Sequence, residues 1–116
     1  EGFGRFVAEA LSCGLPVLQT GWSGPIDFTP TNFHVSYTLE PVPQGVIPTE
    51  WVHPHAQWAV PSESEVIDKM RDIEQDPGKW RGIASLVAKE IMKDLSVPSV
   101  MGKYREIFGR AEVLRI

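Results

Sequence analysis

The chain is poor in several things, and each shortage excludes something. It holds one cysteine, Cys13, so no disulfide framework can form within it. It has no basic surplus: 11 lysines and arginines stand against 15 aspartates and glutamates, a net charge of −4. A nonspecific nucleic-acid binder shows the opposite balance, so no nucleic-acid partner is expected. No apolar run approaches the ~20 residues of a membrane-spanning helix, and the expected location is cytoplasmic or peripheral to a membrane. There is no internal repeat and no low-complexity tract. His34, His53 and His55 lack the cysteine or clustered acids that would complete a metal-ligand set, and Pro54 disturbs the His-x-His pair. No metal site is expected.

What is present is the composition of a globular domain. Of 116 residues, 42% are hydrophobic and 22% charged, which argues against disorder. The chain opens on Glu1 with no initiator methionine, and its first twelve residues already read as the start of a helix. It is therefore read as the C-terminal part of a longer protein, with a core of marginal size.

Hydrophobic spacing divides the chain into elements. Phe3, Phe6, Val7, Ala10 and Leu11 form a stripe at helical period, which predicts a helix from about Gly4 to Cys13. Gly14 stands at its C′ position and Pro16 forbids continuation. Cys13, at the negative end of that helix, is expected to be a small buried residue rather than a reactive thiolate. Leu15 to Thr20 is a short apolar run that suits a buried strand of a parallel sheet. Gly21-Trp22-Ser23-Gly24-Pro25 is a loop. Val35 to Leu39 alternates as a strand does. Residues 41–57 read as a proline-rich inserted loop, a length of loop that is often functional. Trp51 and Trp58 in or beside it either pin it to the core or line an acceptor groove with the two histidines. Ser62 and Glu65 fit a capping box, followed by a stripe of Val66, Ile67, Met70 and Ile73. Asp76-Pro77 opens a further helix with Trp80, Ile83, Ala84, Val87, Ala88 and Ile91 on one face. A last helix presents Val100, Met101, Tyr104, Ile107 and Phe108.

The chemistry concentrates in residues 1–28, which read as loop, helix, tight turn, strand and glycine loop. Gly2 and Gly4 let backbone approach a ligand closely. The helix behind them aims its free N–H groups and positive dipole end at that loop, an arrangement that suits a diphosphate. Glu9 lies about 7.5 Å along the axis at ~1.5 Å per residue, where its carboxylate can accept hydrogen bonds from both hydroxyls of a ribose. Glu1, outside the helix, can reach a sugar beyond the diphosphate. Ser23 and Gly24 sit after a strand, where open α/β sheets bind ligands. Asp27 serves either as a ligand contact or as a helix-start acid. Arg5 and Glu9 are four apart, so Glu9 also suits a solvated helix ion pair.

These residues resemble the signature of the retaining GT-B glycosyltransferases known as glycosyl transferases group 1. The family shows two glutamates separated by seven residues, here Glu1 and Glu9, with Gly2-Phe3-Gly4 and Glu9-Ala10-Leu11 in the usual places. Gly14-Leu15-Pro16-Val17 is similar to its turn into the next strand, and Gly21 to Phe28 to its following glycine loop. More weakly, Trp58-Ala59-Val60-Pro61, Asp76-Pro77 and Lys93-Asp94-Leu95-Ser96 fall in familiar order. Two departures stand out: Asn32-Phe33-His34-Val35 lacks a glycine common in the family, and the insertion at 41–57 is long.

The resemblance implies an α/β fold, part of a Rossmann-like C-terminal domain with helices covering a short parallel sheet. It implies transfer of a sugar from a UDP- or GDP-linked donor, with retention, to an unidentified carbohydrate, lipid or protein acceptor, without a metal or other cofactor. Glu1 would contact the donor sugar, Gly2, Phe3 and Gly4 the sugar and diphosphate, Glu9 the ribose. The cationic residues that clamp the leaving group and the acceptor-binding N-terminal domain would lie upstream, so these residues alone would be inactive. The last helix would cross back onto that domain. Two other readings keep the fold: a nucleotide-sugar-binding regulatory module without catalysis, and another GT-B enzyme such as an epimerase.

Overall fold

A computed structural model describes residues 2–112, a mixture of helices and short strands. Glu1 lies outside the described residues. Helix α1 is Arg5–Ser12. Its end forms a Schellman motif: Gly14, at φ 71°, donates to the Leu11 carbonyl (2.8 Å), and the Leu15 N–H donates to Ala10 (3.1 Å). The chain then turns through Pro16 into strand β1, Gln19–Thr20.

β1 pairs in parallel with β2, His34–Val35, in the register Gln19↔His34 and Thr20↔Val35. The strand expected over residues 15–20 thus shrinks to its last two. The residues before β2, Thr31–Phe33, form a 3-10 turn and offer no extended partner to Pro16, Val17 and Leu18. The strand expected over residues 35–39 is interrupted at Ser36. The Ser36 N–H donates to Glu65 Oε2 (2.8 Å), and the Ser36 carbonyl accepts from the Ser62 N–H (2.8 Å). With both backbone groups committed elsewhere, Ser36 cannot continue the ladder to β1. Beyond it β3, Tyr37–Pro41, pairs with β4, Gln57–Pro61, in an antiparallel hairpin with Thr38↔Val60 and Glu40↔Trp58 opposite each other. Among the described residues the sheet structure is therefore two two-stranded pieces, one parallel and one antiparallel.

Three helices follow. In α2, Glu63–Gln75, Ser62 caps the first turn by accepting from the Glu65 N–H (3.4 Å). Only half of the expected capping box forms, because the Glu65 carboxylate reaches Ser36 instead of the Ser62 N–H. α3, Pro77–Asp94, opens as expected: Asp76 Oδ1 accepts from the Lys79 N–H (2.9 Å), with Pro77 at the first helical position. α4 is Val97–Glu112, with Ser96 Oγ accepting from the Ser99 N–H (3.3 Å).

The core forms where α1 crosses α3. Leu11, Phe33, Trp80, Ala84, Val87 and Ile91 are buried together, with Val7, Val17, Phe28, Ile73 and Ile83 at the margin. Phe33 and Trp80 meet with ring centroids 5.8 Å apart. Each such side chain contributes about 1.5–3 kcal/mol by leaving water. The indole of Trp80 is buried without stranding its polar atom, since Nε1–H donates to Asp72 Oδ2 (2.9 Å). The expected α3 stripe is largely realised; the α1 stripe is shifted. Ala8 and Leu11 are buried, whereas Phe6 is 81% exposed. Cys13 is exposed rather than buried. α2 buries no residue fully, and Met101, Tyr104, Ile107 and Phe108 of α4 are exposed.

The radius of gyration is 18.4 Å and the extents are 57 × 44 × 18 Å. A compact chain of this length has a radius near ~13 Å. The molecule is a thin slab with one formed core and broad uncovered apolar faces. None of its helices, among the described residues, is long and apolar enough to cross a membrane.

Candidate functional site

Two glycine segments meet at the start of α1. Gly4 is the N-cap of the helix, in the left-handed conformation (φ 81°, ψ 57°), and no side chain caps it. A Cβ there would sit 2.4 Å from Pro25 Cγ. Gly24, in the loop after β1, lies so close to the other segment that its Cβ would fall 1.8 Å from the Gly2 carbonyl oxygen and 2.9 Å from the Phe3 nitrogen. Neither position admits a side chain. The contact brings the uncapped, N–H-bearing end of α1 against the loop at the C-terminal end of β1, a place that favours anionic ligands.

The loop carries strain. Ser23 has φ 68° and ψ −162°, a region populated essentially by glycine. Holding serine there costs about 1–3 kcal/mol and persists only because the surroundings enforce it. Behind the loop lies a polar network. The Thr29 hydroxyl donates to the Pro25 carbonyl (2.7 Å) and so acts as acceptor to the Gln19 side-chain amide. The same oxygen lies 2.8 Å from His34 Nε2, which must then carry its proton. Thr29 is buried, so this network ties the loop to β1 and β2. Gln19 Oε1 is buried with no hydrogen-bond partner among the described residues.

A cleft of about 540 Å³ opens beside the glycine contact. Gly2, Phe3 and Gly24 line one side, with Asp27 and Phe28; the Phe3 and Phe28 rings are 4.9 Å apart. Glu90 and Asp94 of α3 and Lys103 of α4 line the other. The expected residues Gly2, Phe3 and Gly24 thus share one cleft, whereas Gly4 packs against Pro25 and does not line it. Glu9 and Ser23 do not face it. Glu9 lies on an adjoining concavity with Arg5, Ser12 and Met92, sharing Phe3 with the cleft. Its carboxylate accepts from Arg5 Nε at 2.7 Å, and this bond, with the charge of Glu9, raises the Arg5 pKa. Ser23 faces a third cavity together with Gln19 and Trp22. Glu1, expected to contact a donor sugar, lies outside the described residues.

Sequence reasoning missed Glu90, Asp94 and Lys103. Glu90 and Asp94 fall four apart on α3 and so share a face, but nothing in the local pattern says which loop that face meets. Trp51, expected either to pin the long loop or to line a groove, is 80% exposed and pins nothing. Among the described residues no cluster of three or more potential metal ligands occurs. Compared with family models, curated proteins and solved structures, the chain matches none.

Proposed function

We propose that the chain is the donor-binding part of a retaining GT-B glycosyltransferase, with the finer architecture of a Rossmann-like C-terminal domain. The observation that carries the reading is the contact of the two glycine segments at the uncapped start of α1. It sits in the order loop, helix, turn, strand, glycine loop that the glutamate signature requires. In this reading the backbone of Gly2, Phe3 and Gly4 and the first turn of α1 hold the diphosphate of a UDP- or GDP-linked sugar. Glu9 gives up Arg5 to take the ribose hydroxyls, and Glu1 takes the sugar. Positioning and stabilisation of the leaving diphosphate are the protein's share of the chemistry.

Charge sets a condition on the reading. The cleft lining supplies three carboxylates, Asp27, Glu90 and Asp94, against one ammonium, Lys103. Helix N–H groups alone do not offset that excess, so cationic groups from outside residues 2–112 complete the diphosphate site. The test is calorimetry on the protein that carries this chain, with a panel of UDP- and GDP-linked sugars and the variant Glu9→Ala. One donor is expected to bind, and the variant to lose about 1.5–3 kcal/mol of affinity, as for a lost charged hydrogen bond. Absence of binding by every donor, or an unchanged affinity in Glu9→Ala, defeats the reading.

A further inference from the structure

We propose that the third cavity, which lies between the Trp22–Pro25 loop and β4, is a subsite for a neutral carbohydrate. The loop lines two cavities at once: Gly24 lines the charged cleft, and Trp22, Ser23 and Pro25 line this one. The two differ in chemistry. The cleft beside the glycine contact holds four charged side chains. This cavity, of about 470 Å³, holds none among its described lining residues. Its volume is within the range of ordinary small-ligand sites. Among the described residues no lining side chain offers counter-charge to a phosphate or carboxylate, which favours an uncharged occupant.

The polar and aromatic groups narrow the class further. Trp22 and Trp58 both line the cavity, 44% and 37% exposed, whereas the core Trp80 is 4% exposed. Tyr37 backs Trp22, with ring centroids 5.2 Å apart, so the indole is fixed rather than free to fold away. Around these rings stand uncharged hydrogen-bonding side chains: Gln19, Thr20, Ser23 and Gln57. A pyranose presents apolar C–H faces and a rim of hydroxyls, which are the complements of indole and of amide or hydroxyl groups. The Gln19 amide nitrogen is held by Thr29, which fixes this side chain at the cavity wall. That the sugar is the acceptor of a transfer rests on the proposed transferase reading; that the cavity takes a sugar does not.

The test uses probes without nucleotide or phosphate. The methyl glycosides of glucose, mannose and xylose are titrated into the protein carrying this chain. Binding is followed by indole fluorescence and by the side-chain amide signals of Gln19 and Gln57 in nitrogen-15 NMR. At least one glycoside is expected to shift both amides in a saturable way. Trp22→Ala and Trp58→Ala should each weaken that binding tenfold or more, Gln19→Leu several-fold, and Trp51→Ala not at all. If Trp22→Ala fails to fold, Trp58→Ala and Gln19→Leu carry the test. No saturable shift with any glycoside, or binding that survives both tryptophan variants, overturns the subsite even where a nucleotide sugar binds. Glycoside binding in a protein that takes no nucleotide sugar keeps the subsite and removes its acceptor role.

Discussion

The Trp22–Pro25 loop and the loop between β3 and β4 are made of the same kinds of residue, glycine, proline and tryptophan, and use them in opposite ways. In the first, backbone packs on backbone. Gly24 touches the Gly2 carbonyl, Gly4 touches the buried Pro25, and Thr29 ties the turn to β1. In the second, turns close on themselves. Val46 donates to Pro43, Trp51 to Pro48 and Ala56 to His53, each three residues back. Gly45 takes φ 83°, yet a Cβ there would meet nothing within 4 Å. The lesson is that composition marks a turn, whereas its tolerance to change is set by what lies against it.

That contrast can be broken, beginning with the core beneath the first loop. Phe33→Ala should cost about 3–5 kcal/mol, because a fully buried ring packed against Trp80 is removed. Denaturant unfolding measures it, and a loss below about 1 kcal/mol would mean that the α1–α3 core is packed differently. Next is the glycine pair. Gly24→Ala should cost about 2–3 kcal/mol, since the new methyl overlaps a backbone carbonyl that cannot swing aside. Gly45→Ala should cost about 1 kcal/mol, from its backbone angle alone. Equal costs would erase the distinction between the two loops. Trp51→Ala should stay within about 0.5 kcal/mol of the parent, for an indole 80% exposed.

The smallest effect concerns acid. Hydrogen bonds from Ser36, chiefly from its hydroxyl, hold the Glu65 pKa below its ordinary 4.5. The hydrogen bond from Lys79 holds Asp72 below its ordinary 3.8. A lowered pKa in the folded state means that the unfolded chain takes up the proton first. The stabilisation is therefore complete above the ordinary values and is lost as pH falls through them toward the lowered ones. Midpoints of urea unfolding should fall below pH 4.5, and Glu65→Gln together with Asp72→Asn should flatten that fall. An equally steep fall in the double variant would assign the acid sensitivity to other carboxylates.

Legibility in the sequence followed the range of the interaction. The end of α1 at Gly14, the cap at Asp76 and the buried face of α3 were readable because each is set within one or two helical turns. Spacing also named Gly2, Phe3 and Gly24, which line one cleft. The hairpin of β3 and β4 was not readable, because its pairing joins residues across a fifteen-residue loop. Phe6 and Ala8 show the same limit on a smaller scale. Both fit a helix, and only the position of α3 decided that the alanine faces inward.

By itself the sequence determined the helices, their caps and the glycines that allow two backbones to touch, because these follow from local sterics and hydrogen bonding. The tertiary structure alone decided that Glu65 leaves its own helix start for Ser36, and that α3 and α4 bring Glu90, Asp94 and Lys103 to the glycine cleft. It also decided that Trp22 and Trp58 share an uncharged cavity. The physical reason is common to all three. A side chain's partner is chosen by the faces that remain after the core has formed, and those faces belong to elements far apart in the chain.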